Sequence, residues 1–130
     1  MTEPIRPFRI SYVNTAWEDL CHFSKEEVLG QTLSVIQGEQ TDRRELDRLT
    51  KEVLQGHQCE AKLVNYTKLG QAFLNHLRMK PVRANNGHIS HYVGILENIS
   101  EHKEEVRDFY EECLNDLKET VEILEQPKKV

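Results

Sequence analysis

The chain has 130 residues, 38% of them hydrophobic and 30% charged, which is enough for one core but too little for a second full domain. Its formal net charge of −5 disfavours a nucleic-acid surface, because phosphate binding needs Lys and Arg concentrated on one face. It shows neither a signal peptide nor a run of about 18 apolar residues, so we expect a soluble protein of the cytoplasm or nucleus without membrane partners.

The first forty residues predict one strand and two short helical segments. Residues 9–13 alternate in polarity as a strand does, and Asn14 then suits the cap of a helix that starts near Ala16. Residues 24–27, Ser-Lys-Glu-Glu, have the spacing of a capping box, and Gly30 ends the short helix that this box begins.

A longer amphipathic helix and three strands follow. Asp42 and Glu45 signal the start of the helix, and Gly56 closes it. Its single apolar face consists of Leu46, Leu49, Val53 and Leu54. The strands are predicted at about 58–67, 72–83 and 88–99, and Asn86-Gly87 favours a tight turn between the last two. We therefore expect an α+β fold in which an antiparallel sheet carries helices on one face.

The charge balance changes near residue 100, where we place the boundary of the core. Residues 1–100 carry twelve acidic and twelve basic side chains, whereas residues 101–126 carry ten acidic and three basic ones. Heptad spacing predicts an amphipathic helix over 101–126, followed by a tail at 127–130. We expect its apolar stripe to mediate self-association or docking onto the sheet, through Val106, Tyr110, Cys113, Leu117, Val121 and Leu124.

Three sequence motifs resemble the flavin-site signature of LOV domains, the blue-light branch of the PAS family. They are Gly30–Gly38 (GQTLSVIQG), Asn65–Gly70 (NYTKLG) and Phe73–Asn75 (FLN). The resemblance extends over roughly residues 2 to 100 and implies the PAS fold. It also implies that the family's first strand, which lies inside the sheet, would precede residues 2–4. We therefore expect open backbone edges beside residues 9–13 and the last strand, unless another segment fills the gap.

The resemblance breaks down at four positions of the flavin site. The photochemical cysteine of the family matches Leu33, which has no nucleophilic sulfur, so the cysteinyl adduct is predicted to be absent. Two phosphate-binding arginines match Ser34 and Thr50. The glutamine that senses flavin protonation matches Leu96. Losing these contacts removes the signalling chemistry and much of the flavin affinity.

The remaining polar positions keep a weak flavin site open as an alternative. Gln37, Asn65 and Asn75 match the amides that bind the flavin ring, and Thr32 replaces an asparagine of that site. Alternatively, these residues have only a structural role: the amides satisfy neighbouring backbone groups, and Leu33 packs into the core. We expect no bound cofactor, with weak FMN or FAD binding as the alternative.

A second pair of arginines on the same helix offers a possible substitute for the lost phosphate contacts. Arg43 and Arg48 lie near Thr50 in the sequence, although the resemblance assigns neither to the phosphate.

The three cysteines and six histidines show no established metal-ligand spacing, so we expect no metal site. No nucleophile elbow or phosphate-binding glycine loop is present either, so we expect no enzymatic activity.

Two functions are consistent with the sequence. The first is a non-photochemical LOV-like module that dimerises, or pairs with another PAS domain, through its sheet and C-terminal helix and relays a signal to an effector outside this chain. The second is a sensory domain that still binds flavin or another small ligand and signals without a cysteinyl adduct.

Overall fold

The computed structural model describes residues 8–100 and 119–127. The strands are Arg9–Val13 (β1), Cys59–Tyr66 (β2), Ala72–Arg83 (β3), Ile89–Asn98 (β4) and Thr120–Glu125 (β5). The helices are Thr15–Cys21 (α1), Lys25–Val28 (α2) and Arg43–Leu54 (α3), and a short 3₁₀ turn spans Leu33–Ile36. Within these two ranges no helix is long and apolar enough to cross a membrane.

Side-chain caps start all three helices where the sequence predicts them. The Asn14 Oδ1 accepts from the backbone N–H of Trp17 at 3.0 Å and begins α1. Ser24 and Glu27 form the expected capping box of α2. The Asp42 carboxylate accepts from the first backbone N–H groups of α3 and satisfies donors that have no partner within the helix.

The five strands form one antiparallel sheet in the order β1-β5-β4-β3-β2, which confirms the predicted α+β fold. Alternate residues of each strand face a core that also receives the apolar face of α3. Leu49 and Val53 of that helix are buried, and the side chain of Trp17 from α1 is fully covered. The sheet thus has an inner face under the helices and an outer face on the opposite side.

The strand β5 fills the gap that the sequence analysis expected between β1 and the last strand. It pairs antiparallel with β1 on one side and with β4 on the other. The predicted helix is therefore wrong for residues 120–125, including Val121 and Leu124. The predicted interface residues Val106, Tyr110, Cys113 and Leu117 lie outside the described ranges.

Two open backbone edges explain why this segment is a strand. The side chains of Thr120, Val121 and Ile123 are β-branched and suit a pleated sheet. Each edge offers hydrogen-bond partners that a helix at this position would leave unused. Asn14 also fixes the start of β5, because its Oδ1 accepts from the Val121 N–H at 3.1 Å and its Nδ2 donates to the Glu119 carbonyl at 2.8 Å.

Candidate functional site

A cavity of about 220 Å³ lies between α3, the 3₁₀ turn and the inner face of the sheet. Its apolar lining consists of Phe8, Leu33, Ile36, Leu46, Leu49, Leu63, Leu77 and Met79. Its polar lining consists of Gln37, Arg43, Asp47, Thr50, Asn65, Asn75 and Glu122. Arg43 and Asp47 are exposed, whereas Asn75 and Glu122 are 0% and 1% exposed, so the cavity runs from a charged mouth into the core.

Two buried amides form a hydrogen-bonded chain along the cavity wall. The Asn65 Nδ2 donates to the Ile36 carbonyl at 3.0 Å, and the Asn75 Nδ2 donates to the Asn65 Oδ1 at 2.9 Å. The Asn75 Oδ1 accepts from the Glu97 backbone N–H at 3.1 Å. Each amide therefore has partners within the protein, as expected if the two side chains satisfy neighbouring polar groups. The second N–H of each nitrogen donates to no described residue.

The remaining predicted positions divide between the cavity and the rest of the fold. Leu33 is 8% exposed and lines the cavity. Thr32 caps the 3₁₀ turn instead, with its Oγ1 at 2.7 Å from the Ser34 hydroxyl. Leu96 is buried in the core, and like Thr32 it is absent from the described cavity lining.

The two candidate arginines have different surroundings. Arg43 lines the cavity mouth, and its Nη1 donates to the Gln37 Oε1 at 3.2 Å. Arg48 instead donates to the Glu45 carboxylate at 2.8 Å and to the Glu60 carbonyl at 2.8 Å. Arg43 is therefore the described arginine that can meet an anionic group at the mouth.

Glu122, which sequence reasoning missed, places a carboxyl group at the inner end of the cavity. The Trp17 indole Nε1 donates to its Oε1 at 3.0 Å. Burial raises the pKa of this carboxyl from its ordinary 4.5 to about 7, although the Trp17 hydrogen bond acts in the opposite direction. The sequence carries no signal for this orientation, because Glu122 lies between Val121 and Ile123, and strand alternation would turn those two apolar side chains inward and the glutamate outward.

The lack of a side chain at Gly94 makes room for this carboxyl. A Cβ atom built on Gly94, in the neighbouring strand β4, would lie 2.7 Å from the Glu122 Oε2. Such a contact is shorter than real Cβ atoms make. The buried carboxyl thus depends on a glycine directly across the β4–β5 ladder.

Neither described cysteine lies in the cavity wall. Cys21 is buried in α1, where burial and the nearby Glu122 raise the pKa of its thiol to about 12. Cys59 lies on β2, where its Sγ is 3.2 Å from the Arg48 Nη1. In the part of the chain that the structure describes, no group of three His, Cys, Asp or Glu side chains could hold a metal ion.

Comparison with known proteins places this architecture in a family. A sequence profile described as a PAS domain matches residues 6–101. Phototropin-2 of Oryza sativa subsp. japonica is 28% identical over 109 residues, which cover 83% of this chain and 12% of that protein. A blue-light photoreceptor of Listeria innocua is 31% identical over 91 residues, covering 70% of this chain and 36% of that protein. The chain thus spans between about an eighth and a third of these relatives' lengths.

Solved structures show the same relationship. The light-state LOV domain of the blue-light photoreceptor Aureochrome1 matches with a TM-score of 0.68 at 27% identity, over 84% of this chain and 80% of that one. The LOV domain of a blue-light activated histidine kinase from Erythrobacter litoralis gives 0.67 at 31% identity, over 72% and 85%. This chain therefore belongs to the PAS domain family and is of the LOV type within it.

Proposed function

We propose that this chain is a LOV-type sensory module that relays a signal through protein contacts and forms no cysteinyl adduct. The observation that carries the proposal is Leu33 in the cavity wall, at the position that resembles the photochemical cysteine. Leu33 has no thiol to attack a flavin ring, and the described thiols of Cys21 and Cys59 lie away from the cavity. We assign the module no enzymatic activity of its own.

The polar surroundings of the cavity support weak flavin binding at most. The Thr50 hydroxyl donates to the Leu46 carbonyl at 2.8 Å, and the Ser34 hydroxyl pairs with Thr32, so neither supplies the charge of a phosphate-binding arginine. The cavity volume of about 220 Å³ is also below the roughly 300 Å³ at which ligand pockets commonly begin. We propose that the resting module is not a tight flavoprotein.

A flavin-binding sensor remains the second candidate function, and specific groups favour it. Arg43 stands at the cavity mouth, and Asn65 and Asn75 each keep one N–H beyond their protein hydrogen bonds. The LOV domains and blue-light photoreceptors to which the chain is similar add to this support. In this alternative the module would signal through flavin occupancy or redox state, without the adduct.

An absorption spectrum distinguishes the two functions. The purified protein is incubated with excess FMN, unbound flavin is removed, and the visible spectrum is recorded. We expect no flavin band. A structured band that Arg43→Gln weakens would favour the flavin sensor, and Arg44→Gln serves as the control because that side chain is exposed and does not line the cavity.

We propose further that the outer face of the sheet receives a second copy of the module. Two cross-strand pairs, Val93 with Ile123 and Ile95 with Val121, place four apolar side chains side by side on this face. All four are only partly buried, on the side of the sheet opposite the cavity. A continuous apolar area of this kind supports a homodimer or a pairing with another PAS domain.

A further inference from the structure

The inner end of the cavity contains a buried carboxyl group without a described cationic partner. Glu122 is 1% exposed, and within residues 8–100 and 119–127 no Lys, Arg or His forms an ion pair with it. Its Oε1 accepts from Trp17, whereas no described residue donates to its Oε2. A buried carboxylate of this kind is costly until a positive group pairs with it.

The space beside this carboxyl suits a small ring. A cavity of about 150 Å³ with apolar walls is enough to hold benzene, and this one measures about 220 Å³. Leu33, Leu49, Leu63 and Leu77 supply an apolar lining on which a planar ring can pack. The volume beyond the ring leaves room for a few polar atoms next to Glu122.

We propose that the inner end of the cavity binds a small planar organic cation, of the amidine or amino-heteroaromatic class, whose N–H groups donate to the Glu122 carboxylate. Such a cation offers two parallel N–H donors to the two carboxylate oxygens, which is the geometry of strong charge-assisted pairs. The other charged residues of the described lining, Arg43 and Asp47, stand at the mouth with opposite signs. The role of this ligand as a signal rests on the proposed function, whereas its binding does not.

Trp17 provides a probe at the site itself. It is the one tryptophan of the sequence, so its indole N–H gives a single resonance in a proton–nitrogen correlation spectrum. That N–H donates to the Glu122 Oε1, so a cation bound to the carboxylate changes its chemical shift directly. The measurement uses the full chain and needs no assumption about signalling.

The test compares benzamidine with benzamide, its neutral analogue of similar shape. We expect benzamidine to shift the Trp17 indole resonance in a saturable way and to bind about tenfold more tightly than benzamide. Glu122→Gln should abolish the preference for the cation. Glu125→Gln removes an exposed carboxyl from the same strand and should leave the preference intact.

The opposite results are equally clear. Equal binding of the two compounds, no saturable shift with benzamidine, or an unchanged preference in Glu122→Gln would each overturn the proposal. If Glu122→Gln fails to fold, the comparison of benzamidine with benzamide in the wild type still tests the proposal. Leu33→Phe is then the second variant, since its larger side chain should block the cavity and reduce the indole shift. The FMN spectrum is a separate measurement, so failure here would leave the proposed relay function standing.

Discussion

Glu122 is the residue whose ionisation most directly opposes the fold. Its carboxyl is covered by the core, and its described hydrogen bond comes from the Trp17 indole. The folded protein therefore holds this proton up to about pH 7, whereas the unfolded chain releases it near 4.5. Because the folded state binds the proton more tightly, stability that is fully present below pH 4.5 is lost as the pH rises through 7.

This linkage predicts a pH-dependent difference between the wild type and Glu122→Gln. The free energy of unfolding of the wild type should fall, relative to the variant, by on the order of 3 kcal/mol between pH 4.5 and 8. Urea unfolding at several pH values measures the difference. Glu125→Gln, at an exposed position, should follow the wild type, and parallel curves for Glu122→Gln and the wild type would contradict the assigned burial.

Two other glutamates act in the opposite direction, outside this pH window. The hydrogen bond from Lys68 lowers the pKa of Glu27, and the hydrogen bond from Arg48 lowers that of Glu45. Their contribution is present above the ordinary pKa of 4.5 and is lost on acidification below it. Both side chains are exposed, so solvent screening keeps their effect on stability small. Comparison with Glu122→Gln therefore attributes the loss of unfolding free energy above pH 4.5 to Glu122.

Leu33 gives a second prediction for a single residue. Leu33→Cys places a thiol in the cavity wall, yet the arginine positions remain Ser34 and Thr50 and the glutamine position remains Leu96. We expect no reversible bleaching under blue light in the presence of FMN, because a thiol alone does not restore the flavin contacts. A photocycle in this variant would show that the cavity binds flavin well enough without them.

At the scale of elements, β5 is an interior strand with hydrogen-bonded neighbours on both sides. Tyr12 of β1 and Val93 of β4 are the register partners of Ile123. Leu124, which is 0% exposed, anchors the inner side of the strand in the core. The segment is therefore required for the fold and cannot act as an independent C-terminal helix.

This position predicts a large effect of a proline in β5. Ile123→Pro removes a backbone N–H from the strand and should cost about 3 kcal/mol or more of unfolding free energy. Asn85→Pro, in the exposed turn between β3 and β4, should cost much less. Denaturant unfolding monitored by circular dichroism measures both variants, and equal small losses would contradict an interior β5.

At the scale of the whole molecule, the sequence predicts most of the architecture but not β5, the strand that completes the sheet. The caps at Asn14, Ser24 and Asp42 are local signals, and the structure has each of them. Near residue 124 the apolar spacing fits a helix and a strand equally well, because the segment is short. The open backbone edges of β1 and β4, which are distant in the sequence, make it a strand. Glu122 could not be predicted even from a strand, because alternation around Val121 and Ile123 would place the glutamate on the solvent side, whereas the structure buries it.

The proposed dimer predicts a change in molecular mass. Ile95 is one of the four apolar side chains on the outer face, and Ile95→Asp should convert a dimer to a monomer by placing a charge in an apolar contact. Asn86→Asp adds the same charge in the exposed turn between β3 and β4 and should leave the dimer intact. Light scattering after size-exclusion chromatography measures the mass, and an unchanged mass in Ile95→Asp would remove the outer face from the interface.

The pairing of β1 with β5 also determines how the domain responds to a pulling force. Arg9 and Glu125 are register partners, so the outer ends of these two antiparallel strands lie next to each other. A load applied between these two residues pulls in an unzipping geometry. The β1–β5 hydrogen bonds would open one after another, because the load does not act on all of them at once. Tension carried between attachments at these two points would therefore separate β1 from β5 first, and β5 is the strand that carries Glu122.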